Sequence, residues 1–258
     1  MYPNLISIGS LTIPTYGLFV AIGFTTGLLV SVKIGRKEKI PPQQVMDMGF
    51  IIILLGLIGS RLSYVLLNWA FYRTHPLDIL KVWEGGLVFS GGLVVVLMGL
   101  GLYIKGHHLS FWKIGDLWAP GAALGQGIGR IGCFMAGCCF GKPTQMPWAV
   151  VFTNPDSLAP LDTPLHPTQI YAALSGLIIF IVLMILHSKK RFEGQIVTWF
   201  LILHSIARII LERFRGDDRG FIPGTEMTMT QLIATLILIA SVATLLVMKT
   251  KQQSKIQT

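Results

Sequence analysis

Seven long apolar segments constrain this chain more than any other feature. Each spans 18 to 23 residues, and 52% of the whole chain is hydrophobic while only 13% is charged. A helix crosses a hydrocarbon core with about 20 mostly apolar residues, whereas a β-barrel shows shorter segments of alternating polarity. We therefore predict an all-α, polytopic integral membrane protein with one transmembrane domain over residues 1–258. The predicted spans are 14–32, 45–67, 85–104, 115–134, 168–187, 196–213 and 228–248.

The distribution of lysine predicts the orientation. Ten Lys and two Arg fall in four segments that alternate with the predicted spans, and cytoplasmic loops carry such an excess. We expect the N-terminus outside and the C-terminus in the cytoplasm. The N-terminal stretch lacks a basic region, so no cleaved signal peptide is expected. A net charge of +9 then suits loops beside lipid phosphates, and no nucleic-acid partner is expected. The four segments are 33–39, 105–113, 188–194 and 249–258.

Arginine dominates the cations on the predicted outer side, which carries seven Arg and two Lys. Arg61, Arg130 and Arg208 interrupt apolar runs, where an unpaired cation costs about 2.5–3.5 kcal/mol. Each alone could snorkel to the interface. Three at one predicted depth favour a shared anionic ligand, because a guanidinium fork binds phosphate or carboxylate bidentately. The other four are Arg73, Arg213, Arg215 and Arg219.

The sixth predicted span ends in a charged ladder. Arg208 and Glu212 are four residues apart, and Glu212 and Arg215 are three apart, so all three share one helix face. The ladder could stabilise the helix end. Because buried ion pairs are poor sources of stability, we favour the hypothesis that Glu212 holds both arginines toward a phosphate.

A histidine precedes the fifth predicted span. Pro167 suits the first helical position, which makes His166 the predicted N-cap. The helix dipole disfavours a charged imidazole there, so His166 could act as a base. It could equally fill the cap position and nothing more.

Two glycine pairs, 85–86 and 91–92, flank the start of the third predicted span. Glycine is expected where helices approach closely or where backbone meets a ligand.

All three cysteines of the chain fall within seven residues, at Cys133, Cys138 and Cys139. The spacing lacks the fourth ligand that tetrahedral zinc prefers, so no metal is expected. A disulfide, a nucleophilic thiol activated by His166 and simple packing all stay open. The surrounding glycines predict a backbone that bends tightly around Arg130.

Six stretches carry a family resemblance in order along the chain. They are TYGLFVAIGF (15–24), GSRLSYV (59–65), WEGGLVFSGGL (83–93), GRIG with the glycine-rich turn after it (129–141), HPTQIYAAL (166–174) and ARIILERFR (207–215). Together they resemble the prolipoprotein diacylglyceryl transferase family. Seven spans with an outer N-terminus in the bacterial cytoplasmic membrane are also what this resemblance implies.

The resemblance implies a reaction and its partners. The family transfers the diacylglyceryl group of phosphatidylglycerol to the lipobox cysteine of a preprolipoprotein, and glycerol phosphate leaves. Such chemistry needs a deprotonated thiol and a stabilised phosphate, which positioned guanidinium groups supply. No cofactor is expected.

The resemblance also assigns roles. Arg130, Arg208 and Glu212 are expected to be catalytic, with His166 and His204 as candidate bases. Further contacts to phosphatidylglycerol are expected from Tyr16, Arg61, Gly141 and Arg215, besides Arg130.

Four positions depart from the family pattern. Cys133 stands where better-known members have Asn, Cys138 where they have Glu, His204 where they have Tyr, and Ser90 where they have the His often proposed as general base. The base is therefore His166 or His204, or no strong base is needed, because a thiol of pKa about 8.5 ionises readily beside clustered Arg.

Two other hypotheses come from different functional classes. A transporter or channel for an anionic solute would also use buried arginines, but it usually shows internal repeats, and none is evident here. A non-catalytic scaffold does not explain the arginine cluster. The proline-rich segment within 135–167 is predicted to be an outer loop that could cover the site.

Overall fold

The computed structural model describes residues 1–8, 11–217, 220–222, 224–225 and 227–257, so Arg219 lies outside the described residues. Within the described part, seven helices are 18 residues or longer. They are α1 (Thr15–Lys37), α2 (Pro42–Leu67), α4 (Phe89–Gly106), α5 (Phe111–Ala136), α6 (Thr168–Ser188), α7 (Gln195–Glu212) and α8 (Met229–Gln257), with the short α3 (Trp69–Tyr72) after α2.

Six of these helices are long and apolar enough to cross a membrane, namely α1, α2, α4, α6, α7 and α8. The helix α5 contains the predicted fourth span but is glycine-rich and carries Asp116 and Arg130. A polytopic helical membrane protein is thus confirmed. The count of seven spans and the orientation of the termini stay predictions.

Helix ends differ from the predicted spans. The helix α1 continues to Lys37 and α8 to Gln257, each beyond the predicted apolar segment. Lys, Arg and Gln are good helix formers, so hydropathy locates the apolar part of a helix and not its end. At the third predicted span, Gly85 and Gly86 have φ of +89° and +66°, and α4 begins only at Phe89.

Two small antiparallel ribbons accompany the helices and were not predicted. The strands β1 (Asn4–Ile8) and β2 (Leu11–Pro14) pair with each other, as do β3 (Val150–Val151) and β4 (Pro164–Leu165). Asn154 donates a hydrogen bond to the carbonyl of Met1 at 3.1 Å, which ties the first ribbon to the segment after β3.

The chain forms two compact units, residues 1–31 with 115–258 and residues 32–114, and each is described by itself. The prediction of a single domain stays a prediction. In the smaller unit, α2 packs against α4. A Cβ on Gly92 would lie 2.8 Å from the Gly56 carbonyl oxygen, and one on Gly59 would lie 3.0 Å from that of Gly91. The close helix approach predicted from the second glycine pair is confirmed.

The larger unit has its core between α5, α6 and α7. Ala119 and Ala123 of α5 pack with Ile179 and Leu183 of α6 and with Ile196 of α7. Lipid tails are as apolar as these side chains, so van der Waals packing holds the helices together, and the small alanines let them approach.

A buried carboxylate fixes the start of α7. Asp116 is fully buried and accepts hydrogen bonds from the backbone N–H groups of Gly194, Ile196 and Val197 at 2.7–2.8 Å. Lys190 Nζ lies 3.3 Å from the same carboxylate. Asp116 thereby satisfies N–H groups that the first turn of a helix leaves without intrahelical partners.

Candidate functional site

The helix α5 presents Arg130 from a regular helical position. It is continuous from Phe111 to Ala136, so the backbone does not bend around Arg130 as the glycines predicted. The glycines within α5 serve close packing instead. A Cβ on Gly132 would lie 2.9 Å from Phe19 Cβ of α1, and one on Gly127 would lie 3.1 Å from the Ala173 carbonyl oxygen of α6. The turn comes later, at Gly137 with φ of +74°.

Glycines form a close crossing between α1 and α5 on the N-terminal side of Arg130. A Cβ on Gly23 would lie 2.6 Å from the Gly125 carbonyl oxygen, and a Cβ on Gly27 would lie equally close to that of Gly121. Only glycine at these positions allows the two backbones to touch. Arg130 lies on the part of α5 that follows this crossing.

Arg130 shares a cavity with Arg208 and His204. Arg130 lines it from α5, and His204 and Arg208 line it from α7. Gln126 and Ser175 add polar groups, while apolar side chains complete the wall, including Ile179 and Leu211. Two cations in a mostly apolar cavity match the chemistry of an anionic, amphiphilic ligand.

Glu212 positions one of the two cavity arginines. Its carboxylate Oε2 lies 3.2 Å from Arg208 Nη2, and the Glu212 side chain is only 2% exposed. Thr228, just before α8, donates a hydrogen bond to the other carboxylate oxygen at 3.1 Å. The predicted pairing of Arg208 with Glu212 is confirmed, and the Thr228 contact was not foreseen.

The other half of the predicted ladder is wrong, because Arg215 has a different carboxylate. The helix α7 ends at Glu212, so the three-residue spacing no longer places Arg215 on the same helical face. Arg215 instead donates two hydrogen bonds to Asp217, from Nε to Oδ1 and from Nη2 to Oδ2, both at 2.7 Å. This bidentate pair is largely buried, and it holds the chain that leaves α7.

Gly141 lies where three backbone segments meet. It forms an antiparallel bridge with Arg215, and Lys142 N–H donates to the Phe214 carbonyl at 2.8 Å. A Cβ on Gly141 would lie 2.6 Å from His166 Cβ and 2.9 Å from the Phe214 carbonyl oxygen. Gly141 is therefore required by packing, whatever it contributes to a ligand.

The two candidate histidines have different surroundings. His204 lines the cavity, and its ring stacks on Phe200 with the centroids 5.6 Å apart. His166 Nδ1 lies 3.3 Å from the Tyr171 hydroxyl, and its ring meets Phe214 edge-on at 5.3 Å. The N-cap of α6 is Pro167 and not His166 as predicted, because the helix begins one residue later, at Thr168.

Arg61 is occupied by backbone carbonyl groups. The side chain belongs to the smaller unit and is 7% exposed. Its Nε donates to Ile79 at 2.9 Å, Nη2 to Asp78 at 2.5 Å, and Nη1 to Gly85 and Gly86 at 2.8 and 3.2 Å. Four of its five N–H groups thus fasten the loop before α4. This arrangement gives Arg61 a loop-positioning role, and the phosphate contact expected for it stays a prediction.

The three cysteines converge at the end of α5. Their sulfur atoms all lie within 4.8 Å of one another, and all three thiols are free. Arg130 Nη1 donates to Cys139 Sγ at 3.6 Å. Hydrogen bonding with the Cys133 and Cys138 thiols, and then with Arg215, holds the pKa of Cys139 well below its usual range.

Comparison with known proteins shows the family of this chain. The sequence profile of the prolipoprotein diacylglyceryl transferases matches residues 3–247, nearly the whole chain. The chain belongs to this family.

Three similar relatives each bear the name phosphatidylglycerol–prolipoprotein diacylglyceryl transferase. The one from Clostridium tetani is 32% identical over 94% of this chain and 96% of its own length. The one from Desulfotalea psychrophila is 36% identical over 90% and 88%, and the one from Finegoldia magna is 32% identical over 96% and 95%.

Within this family member, several polar residues of the larger unit escaped sequence reasoning. Gln126 precedes Arg130 by four residues and Ser175 lies in an apolar run, so helical spacing could have indicated the first. Thr228 contacts Glu212, and Asp217 contacts Arg215, because the chain turns after α7. No local sequence pattern predicts these contacts. Tyr16 lies at the start of α1, half exposed, with its backbone against Gly132.

Proposed function

We propose that this protein transfers the diacylglyceryl group of phosphatidylglycerol to the thiol of the lipobox cysteine in a prolipoprotein. The single observation that carries the proposal is the cavity lined jointly by Arg130, Arg208 and His204 in a chain of this family. The cavity offers two fixed cations and a titratable group, which are the parts that the reaction requires.

The reaction balances without a cofactor. The substrate thiolate attacks the glyceryl carbon that carries the phosphate ester, so a C–S bond forms and the C–O bond breaks. The bonding electrons leave with the oxygen, and glycerol phosphate departs. The proton of the thiol passes to a base or to water. Because no electrons are gained or lost overall, no redox group takes part.

Arg130 and Arg208 are proposed to hold the phosphate of the lipid. Both line one cavity from different helices, so their guanidinium groups could bind different oxygens of one phosphate. Charge on that phosphate grows as the C–O bond breaks, and preoriented donors stabilise it in the transition state. Glu212 keeps Arg208 oriented through the 3.2 Å ion pair, and it is a positioning residue.

His204 is the better candidate base of the two histidines. It lies one helical turn before Arg208 and lines the same cavity, whereas the described contacts of His166 are with Tyr171 and Phe214. The neighbouring arginines favour ionisation of the attacking thiol, which lowers the demand on any base.

The other residues expected to contact the lipid have different surroundings, and we propose different roles for them. Tyr16 is half exposed beside Gly132, and we retain it as a contact to the lipid. Gly141 and Arg215 form an antiparallel bridge just after Cys139, and we propose that they hold the turn at the end of α5 in place.

We further propose seven spans in the bacterial cytoplasmic membrane, with the N-terminus and the site toward the outer face. The alternation of lysine-rich segments supports this orientation. The segment within 135–167 carries β3, β4 and a small core of Phe152, Ala159 and Leu165, which suits an ordered cover over the site.

The test uses membranes that contain the protein, phosphatidylglycerol and a peptide with a lipobox cysteine. Mass spectrometry should show the gain of one diacylglyceryl group on the peptide cysteine. Arg130→Ala and Arg208→Ala should each abolish transfer while the protein still inserts at wild-type levels.

Arg213→Ala is the matched control, because Arg213 is exposed and directly follows α7. It should transfer at the wild-type rate. Full activity of Arg130→Ala would contradict the phosphate assignment. A wild-type protein that leaves the peptide unmodified but moves an anionic solute across the membrane would instead favour the transporter hypothesis.

A further inference from the structure

The three thiols at the end of α5 converge on one point. Cys133 Sγ, Cys138 Sγ and Cys139 Sγ lie within 4.8 Å of one another, although the residues span a helix end and a turn. Around one metal ion with M–S bonds of about 2.3 Å, thiolate sulfurs lie about 3.8–4.0 Å apart. The observed separation therefore needs only small side-chain rotations to surround an ion. Packing alone does not require three sulfurs to face one another.

The backbone that carries these thiols is held in place. The turn after α5 uses positive φ at Gly137 and at Cys139, where φ is +63°. A non-glycine residue in this region persists only when its surroundings enforce it. Here the buried side chains of Thr168 and Gln169 do so, by donating to the carbonyl groups of Cys139 and Cys138 at 2.8 and 2.9 Å. The sulfur positions are thus preorganised.

The charge around the cluster suits thiolates. Arg130 Nη1 lies 3.6 Å from Cys139 Sγ. Three thiolates with Cu⁺ or Zn²⁺ carry a net charge of −2 or −1, which the Arg130 guanidinium partly offsets. Thiolate ligands select soft ions of this kind over Mg²⁺ or Ca²⁺.

We propose that Cys133, Cys138 and Cys139 form a binding site for one thiophilic d¹⁰ cation, Zn²⁺ or Cu⁺. This site takes no part in the diacylglyceryl transfer. It requires three thiol ligands, and water or a backbone carbonyl completes the coordination of Zn²⁺. The sequence spacing argued against a metal because it lacks a fourth protein ligand, and convergence of all three sulfurs reverses that expectation.

Occupation of this site has a consequence for the neighbouring arginine, which rests on the proposed function. Arg130 contacts both the cluster and the cavity. A negatively charged metal–thiolate group would therefore compete with the lipid phosphate for its guanidinium. We expect bound metal to raise the KM for phosphatidylglycerol.

The test measures metal binding directly, so it does not depend on transfer activity. Full-length protein in detergent is stripped with a chelator under a phosphine reductant and then titrated with Zn²⁺ against a chromophoric chelator. One equivalent should bind, and Co²⁺ should show sulfur-to-metal charge-transfer absorption. Cys138→Ser and Cys139→Ser should each weaken Zn²⁺ binding at least about 100-fold, since even outer-shell changes cost 10–100-fold. Gel filtration and the melting temperature check that each variant folds.

The matched control removes the exposed histidine pair at the end of α4, His107→Gln with His108→Gln, and it should bind Zn²⁺ like the wild type. Equal Zn²⁺ binding by the cysteine variants and the wild type would refute the site. So would an absence of stoichiometric binding in the stripped protein. A disulfide between two of these cysteines in protein isolated without oxidant, found by peptide mapping, would equally overturn it.

Discussion

Neutralising Glu212 should weaken catalysis by releasing Arg208. In Glu212→Gln the side chain keeps its shape, and its amide oxygen can still accept from Thr228 at the present 3.1 Å. What is lost is the charge 3.2 Å from Arg208 Nη2. Arg208 then loses this ion pair, and its hydrogen bond to the lipid phosphate weakens.

The size of the effect follows from that hydrogen bond. A charge-assisted hydrogen bond contributes about 1.5–3 kcal/mol, and each 1.36 kcal/mol in the barrier is a factor of ten in rate. Glu212→Gln should therefore lower kcat/KM about 10- to 100-fold. Thr228→Val is the matched control, because it leaves the Glu212 charge and its ion pair with Arg208 in place. It removes the hydroxyl that donates to the Glu212 carboxylate and accepts from Gln231 N–H. Its loss should stay below about tenfold.

The assay is the initial rate of peptide lipidation in membranes, normalised to the amount of inserted protein and read by mass spectrometry. Glu212→Asp should recover part of the rate, because it restores the charge at a shorter reach. A kcat/KM of Glu212→Gln within twofold of the wild type would refute this reasoning. So would a decrease in kcat/KM for Thr228→Val as large as that for Glu212→Gln.

Three further changes test other parts of the structure. Asp116→Asn should destabilise the protein by about 3 kcal/mol, because a buried carboxylate that binds three N–H groups and a lysine loses its charge; an unchanged melting temperature in detergent would contradict this. Gly141→Ala should cost about 1–3 kcal/mol through overpacking, whereas Gly129→Ala, whose Cβ meets nothing within 4 Å, should not destabilise; thermal denaturation of both variants compares them. His204→Gln should lower the lipidation rate at pH 6–8 more than His166→Gln does, and equal rate profiles would remove His204 as the base.

Hydropathy predicted the helices well because lipid-facing helices must be apolar along their whole buried length. All seven predicted spans overlap long helices of the structure. The ends were less predictable, since Lys37 and Gln257 extend helices with polar residues that favour helix formation in their own right. The two ribbons escaped prediction because their strands are only two to five residues long.

The site was predictable in its residue types but not in its pairings. Regular four-residue spacing sufficed to pair Arg208 with Glu212, because the helix is intact between them. The same reasoning failed for Arg215, because α7 ends at Glu212 and the chain then turns. Arg215 therefore pairs with Asp217 and not with Glu212. Arg61 and Arg130 looked alike in sequence, yet one binds loop carbonyls and the other lines the cavity.

The sequence by itself determined the helical membrane class, the family and the identity of the charged groups, because hydropathy, charge and local motifs are properties of short stretches of chain. Only the tertiary structure decided which groups meet. Arg130, His204 and Arg208 come together because α5 and α7 pack through alanines and β-branched residues. The three cysteine sulfurs converge because Gly137 and Cys139 turn the chain back on the end of α5. Such contacts depend on where helices end and cross, and those features are set by packing across distant parts of the chain.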